Sequence, residues 1–310
     1  MNPRRPYTPG VDRTDVTFPS GHGSARADCA AWLYRPPTGG GAAVPIVILA
    51  HGVGGTRDMG LAPYAEQFVA AGFAALVFDY RHFGDSQGQP RQLLSIARQR
   101  EDWAAAVKYA RSLEGIDPDR VALFGTSFSG GHVLAVAAAD PRIAAVISQC
   151  PFTDGLASSL KLNPSATLGV GLRATADITK AVFRGQPVLV PLAAAPTKVG
   201  LMNAPDALPG YTALVPEDST FRNEVAARIG ALILLDRPGR FAKQVKAPVL
   251  FCVCDNDSVA PAKQTLKYAA KAPRGEIKRY PVGHFDIYRG DAFEAAVVDQ
   301  VAFLQRVLEQ

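Results

Sequence analysis

The chain has 310 residues, 48% hydrophobic and 20% charged, which is ordinary globular composition and length enough for a large core in one α/β domain carrying an insertion. The formal net charge of +5 describes a mildly basic surface, and the short basic runs at Arg4 and Arg98 are no nucleic-acid footprint. No run of eighteen apolar residues offers a membrane span, and "MNPRRPYTPGVDRTD" lacks the apolar stretch of a secretory signal.

Two β-rich runs open the chain, "RTDVTF" (13–18) and "ADCAAWLYRP" (27–36), split by the turn cluster "PSGHGSA". They read as antiparallel strands. "VPIVILAHG" (44–52) is then a continuous apolar run, as a strand buried on both faces should be. A helix is expected near 61–71, a buried strand at "FAALVFDYR" (73–81), and a long helix over 91–113, where the periodicity is helical and no breaker intervenes. "DRVALFGTS" (119–127) is a strand, "GHVLAVAAA" (131–139) a helix and "AAVISQCP" (144–151) a strand. The rhythm resumes at "APVLFCVCD" (247–255), with a helix near 261–271, a strand in "GEIKRYPVG" (275–283) and a final helix over 291–309.

This alternation implies right-handed βαβ units, hence a parallel sheet with helices on both faces. Between Phe152 and about Lys246 the rhythm breaks into short apolar pieces rich in Ala, Pro and Leu. Loops of that length without structure are rare, so the stretch reads as a partly helical insertion. The expected organisation is a core of 1–151 and 247–310 with a cap insertion over 152–246. Cys29, Cys150, Cys252 and Cys254 form no metal-ligand spacing and read as buried fillers of a reduced, cytoplasmic protein.

Between a strand and a helix stands "LFGTSFSGG" (123–131). A side chain at such a corner sits above the carboxyl end of the sheet, where open α/β sheets bind their ligands. The corner is tight, so residues two before and two after a nucleophile there must be small. Ser127 has Gly125 before it and Ser129 after; Ser129 itself falls in the first helical turn, with its hydroxyl expected to cap or follow the helix. Ser127 is therefore the candidate nucleophile.

A serine needs a base, usually histidine. His22 lies in the N-terminal turn, His51 and His82 end strands that precede the serine, and His132 is on the helix just after it. His284, in "YPVGHFDIY", follows the last sheet strand on the same edge as Ser127. The acid that orients it comes from "VLFCVCDNDSVAP": Asp257, in the turn, is favoured over Asp255, which ends the strand, and Asp154 is a distant third. Backbone N–H groups for an oxyanion would come from Phe128 and from Val53 in "HGVGG". That glycine cluster is not a dinucleotide fingerprint, since Arg57 stands where glycine is required.

With these pieces in order the chain resembles the α/β-hydrolase superfamily over essentially its whole length, through "HGVGG", "DYRHFGDSQGQPR", "GTSFSGG", "DNDSVAP" and "GHFDIY". Together with "FRNEVAARIG" and "RPG" in the insertion, these are similar to a dienelactone-hydrolase-like or peptidase-like subgroup that includes fungal polyketide transferases. The departure is Ser129 in place of the second elbow glycine. The resemblance implies an α/β-hydrolase fold and a serine esterase or thioesterase working through an acyl-enzyme, with no metal or organic cofactor. The implied partner is a small-molecule ester or thioester; nucleic acid and membrane are not expected, and a homodimer is left open. An acyltransferase using the same residues is the alternative, a peptidase a weaker one, and a ligand receptor on the same fold the non-enzymatic one. Two apolar pieces, "VLVPLAAAP" (188–196) and "ALILLDRPG" (231–239), would either line an acyl pocket or pack the insertion onto the core.

Overall fold

The computed structural model describes residues 12–37, 43–183 and 185–309; the basic run at Arg4 lies outside them. The apolar runs of the sequence become the middle of one sheet. β1 (Asp12–Ser20) and β2 (Ala27–Arg35) pair antiparallel, and β3 (Val44–Ala50), α1 (Ala62–Ala70) and β4 (Ala74–Phe78) follow. Then come α2 (Ile96–Arg111), β5 (Ile116–Thr126), α3 (Phe128–Ala139) and β6 (Ala145–Gln149).

The next stretch holds α4 (Gly155–Ser159), α5 (Pro164–Val182), β7 (Leu189–Val190), α6 (Ala207–Thr212), β8 (Val225–Ala226) and α7 (Ile229–Leu232). It ends in a 3-10 turn over Pro238–Gln244. β9 (Val249–Cys254), α8 (Ala262–Ala269), β10 (Gly275–Tyr280) and α9 (Gly290–Leu308) complete the chain. The eight-stranded sheet runs β1-β2-β4-β3-β5-β6-β9-β10. Every pair from β4 to β10 is parallel, and β2 meets β4 antiparallel. Helices α2 and α3 pack together on one face, α1 and α9 on the other. Ile46 to Ala50 are fully buried, as a strand covered on both faces requires.

Two helices start elsewhere than their periodicity implies. α2 begins at Ile96, not at 91, because Ser95 caps it through a bond from the Arg98 amide and the residues before it are held by other parts of the chain. Arg91 donates to the Gly84 carbonyl at 2.6 Å, and the Gln92 side chain donates to the Glu224 carbonyl at 2.6 Å. These bonds override local propensity. α3 begins at Phe128, three residues earlier than expected, so Ser127 is its N-cap residue.

The 152–246 stretch is partly helical, as expected, but its two-residue strands β7 and β8 pair only with each other. Inside it Arg228 clasps the buried Asp177 carboxylate with two side-chain bonds of 2.7 and 3.0 Å, which ties the start of α7 to α5. To the core it is joined where the Ala226 amide meets the Gln92 carbonyl at 2.8 Å.

Candidate active site

Thr126 ends β5 and Phe128 starts α3, so the chain must reverse at one residue. Ser127 does so with φ 57° and ψ −120°, a conformation that costs about 1–3 kcal/mol and persists only where its surroundings hold it. Its amide donates to the Gln149 carbonyl at 2.9 Å, and its carbonyl accepts from Gly130 and Phe152. Glycine is needed two residues earlier: a Cβ on Gly125 would lie 2.2 Å from the Ser129 carbonyl oxygen. Ser129 neither caps the helix nor points along it. Its hydroxyl is buried 2.7 Å from the Tyr80 hydroxyl and accepts from Trp103 Nε1 at 3.2 Å. A serine there fits the tight corner and satisfies two core polar groups that a glycine would leave with one partner fewer.

His284 and Asp257 meet Ser127 in one line. His284 Nε2 is 2.9 Å from Ser127 Oγ, and Nδ1 is 2.6 Å from Asp257 Oδ2. The other carboxylate oxygen of Asp257 accepts the amides of Val259 and Ala260 at 2.8 and 2.6 Å, so its own turn fixes its orientation. Asp255 instead pairs with Arg279 at the strand end, and Asp154 caps α4 and accepts from Tyr268.

Burial alone would depress the His284 pKa, but the adjacent Asp257 carboxylate outweighs it and holds the imidazole up at about 9. None of the three other buried histidines has a carboxylate in hydrogen-bond contact. Burial lowers His51 and His82 to about 4 each and pushes His132, which bonds Gln99 at 2.9 Å, well below the usual range. His22 is exposed.

The loop after β3 presses against the serine. A Cβ on Gly52 would sit 2.8 Å from Ser127 Cβ and 3.4 Å from the Phe128 nitrogen, so only glycine permits this approach. Among the described residues, neither the Val53 nor the Phe128 amide has a hydrogen-bond acceptor in the protein. Two residues of this loop's surroundings were not singled out as site residues in the sequence. Tyr211 of α6 donates its hydroxyl to the Val53 carbonyl at 2.6 Å. His51 accepts the Gly52 amide on Nδ1 at 2.8 Å. His51 could have been suspected from its place in "HGVGG"; "PGYTA" around Tyr211 carries no signal.

A pocket opens at Ser127, with about 740 Å³ of space including its mouth. Core residues Val53 and Phe128 line it together with Phe152, Leu162, Val170 and Met202 of the insertion. Of the two apolar pieces noted in the sequence, "ALILLDRPG" contributes Ile233 to the lining, while Leu232, Leu234 and Leu235 are exposed. "VLVPLAAAP" packs behind the Val53 loop, where Leu192 lies against Gly54.

All four cysteines are free and buried. Burial raises Cys29 and Cys252, the latter to about 12, and Cys254 is raised first by its bond with Cys150 and then by burial. Cys150 differs: burial pushes it up, but a bond from Cys254 and the nearby His284 bring it down to about 7. Among the described residues no group of three or more His, Cys, Asp or Glu is placed to hold a metal ion, and no helix is long and apolar enough to cross a membrane.

Comparison with known proteins agrees with this architecture. The sequence profile described as X-Pro dipeptidyl-peptidase (S15 family) matches residues 28–172. The quorum-quenching protein AidA of Acinetobacter baumannii (strain MDR-ZJ06) is 56% identical over 294 residues, 95% of each chain. The thiohydrolase aneE of Aspergillus aculeatus is 27% identical across 85% of this chain and 86% of its own. The crystal structure of the α/β hydrolase GrgF from Penicillium sp. sh18 superposes with a TM-score of 0.80 at 22% identity, covering 96% of this chain and all of that one. The α/β-hydrolase fold expected from the sequence is thus the observed one. Relatives of this similarity and coverage settle the wider assignment: the chain belongs to the α/β-hydrolase superfamily of serine hydrolases, in its dienelactone-hydrolase-like, polyketide-transferase-like branch.

Proposed function

We propose that Ser127 is the nucleophile of an acyl-enzyme mechanism acting on carboxylic esters or thioesters of small to medium hydrophobic molecules. The observation that carries this reading is the hydrogen-bonded line Ser127–His284–Asp257 at the strained β5–α3 corner. Ser127 Oγ attacks the substrate carbonyl while His284 Nε2 takes its proton, and Asp257 stabilises the imidazolium that forms. The unpaired amides of Val53 and Phe128 hold the developing oxyanion. Collapse breaks the bond to the alcohol or thiol, which leaves with the proton from His284. Water then releases the acid from Ser127.

The 152–246 segment acts as a cap that supplies one wall of the acyl pocket, since Leu162, Val170, Met202 and Ile233 come from it. The quorum-quenching relative extends the proposal to a signal molecule carrying an ester bond, and the thiohydrolase relative to thioesters. We place the protein in the cytoplasm, where free thiols persist. Transfer of the acyl group to an alcohol or amine instead of water is the second reading, and the proportion of hydrophobic residues around Ser127 favours it only where the acceptor is itself apolar.

A panel of open-chain and cyclic esters and thioesters, with and without added alcohols, tests this. Hydrolysis of esters or thioesters by the wild type, lost in Ser127→Ala, is the expected result; turnover that survives the substitution sinks it. Product esters formed from the added alcohol in preference to acid would select acyl transfer.

A further inference from the structure

A second, smaller chamber adjoins Ser127 and shares Val53 and Met202 with the acyl pocket. His51, Tyr211, Leu214, Phe285 and Tyr288 enclose it, with Ser127 and His284 at its mouth. The volume open to the centre of a water molecule is about 10 Å³, room for one water. The hydroxyls of Tyr211 and Tyr288 and both ring nitrogens of His284 already have partners, which leaves His51.

His51 is only 2% exposed, and its Nδ1 accepts the Gly52 amide, so the ring proton sits on Nε2. That Nε2 is buried with no hydrogen bond of normal geometry in the protein, although the Met59 backbone lies near the ring and opposes the effect of burial. Burial keeps the ring neutral, at a pKa of about 4, so it offers one N–H donor near neutral pH. The ring cannot easily turn away. It stacks on Tyr288 with centroids 5.7 Å apart, and a Cβ on Gly55 would lie 2.1 Å from its Nδ1.

A buried, unpartnered ring N–H on a residue lining a one-water chamber, beside the base and the nucleophile, has a chemical use. We propose that His51 is the positioning residue for the hydrolytic water: its Nε2–H donates to a water held between it and His284. The inference rests on the reading of Ser127 as the acylated residue. The water oxygen bonds to the acyl carbon while one of its protons passes to His284 Nε2. Collapse breaks the bond between acyl carbon and Ser127 Oγ, His284 returns that proton to Oγ, and the free acid departs. His51 keeps its proton throughout and only orients the water.

Acylation needs no water, so the two half-reactions separate the role. His51→Asn keeps an acceptor near the Nδ1 position for the Gly52 amide but deletes the far donor, and His51→Gln returns an N–H near the Nε2 position. With p-nitrophenyl butyrate in a single turnover, nitrophenol release reports acylation, and the intact mass of the quenched protein reports the lifetime of the acyl-enzyme. In His51→Asn we expect nitrophenol release to slow by less than about threefold and the acyl-enzyme to live about tenfold longer or more, with His51→Gln recovering most of that loss. Equal slowing of both steps, an unchanged lifetime, or no recovery in His51→Gln would overturn the proposal. A crystal structure of the wild type with no ordered water within hydrogen-bond distance of His51 Nε2 would overturn it without recourse to variants. An acyl adduct persisting in Ser127→Ala marks the failure of the nucleophile assignment instead.

Discussion

Ser127, Asp257 and His284 hang from the carboxyl ends of β5, β9 and β10, and the residues of β5 leading into the serine and all of β9 are buried. The 152–246 segment meets the same serine from the other side, yet it pairs two-residue strands with each other and leaves Leu160, Leu168, Leu172 and Leu235 exposed. One side is held by a sheet continuous with the core, the other by its own Arg228–Asp177 pair, by an ion pair from Arg100 to Asp236, and by single hydrogen bonds to the core, among them those to Ser258, Tyr268 and the Val53 and Gln92 loops. On the proposed mechanism the difference separates two jobs: the sheet edge would set the reacting atoms to within a hydrogen bond, and the segment would shape the space around them.

If that division holds, substitutions on the sheet edge should cost orders of magnitude and those in the segment single factors. Ser127→Ala should lower kcat by about 10⁵-fold or more, leaving what the oxyanion donors and binding supply. Covalent labelling by a fluorophosphonate probe gives the check, with Ser129→Ala still labelled. Asp257→Asn comes next, at about 10⁴-fold in kcat, because the imidazole loses the partner that fixes its tautomer. Asp255→Asn should cost little, since its carboxylate faces Arg279; a reversal of these two would break the comparison at its firmest point.

The pH profile is a third probe. The base must be neutral to accept a proton, and His284 is held up at about 9, so kcat/KM should climb through neutral pH toward that value. About a hundredfold separates pH 7 from the plateau if the pKa is that high. Asp257→Asn should move this limb down, because the raising carboxylate is gone; a limb that stays in place would mean another group titrates. The same shift has a stability side. A pKa raised in the folded state contributes fully below about 6.5, the ordinary histidine value, and is lost as pH rises through about 9.

Tyr211→Phe tests the seam between the two regions. It removes the bond that holds the Val53 carbonyl, and about a tenfold fall in kcat with little change in KM is expected, less than deletion of an oxyanion donor itself. The smallest effect belongs to the pocket wall. Each buried substrate methylene is worth about 0.8 kcal/mol, roughly fourfold in kcat/KM, until the space is full. A p-nitrophenyl ester series should therefore peak at short or medium acyl length. Ile233→Ala should shift the peak to longer chains and Val170→Phe to shorter ones; a profile indifferent to both would give the segment no part in selection.

The two regions were also unequally legible in the sequence. β3 and β4 were readable because strands covered on both faces carry uninterrupted apolar residues. Ser127 and His284 were readable because each stands just after a strand end, where few other residues are polar. Asp257 is favoured by its place in the turn before the next helix, whereas Asp255 ends the strand. The segment offered no such handle. β7 pairs with β8 across 34 intervening residues, and that contact exists only because Asp177 and Arg228 and the Gln92 loop bring the pieces together. Local pattern cannot register an ion pair between residues 51 apart. His51 was visible as a strand-end histidine, but its orphaned ring nitrogen is a property of packing. Tyr211 looked like any tyrosine in a turn.

The grip on Asp257 has a consequence for how such a protein can change over time. Its carboxylate is oriented by amides of Val259 and Ala260, two and three residues away in the same turn. The proposed reacting line therefore takes its aim mainly from short stretches next to strand ends, with Asp206 of the segment bonding Ser258 beside it. Residues 152–246 can accumulate substitutions, lengthen or be exchanged for those of a relative while the reaction type is inherited unchanged. A graft of that segment, carried across with its equivalent of Tyr211, becomes a practical way to redirect the enzyme toward another ester without redesigning its chemistry.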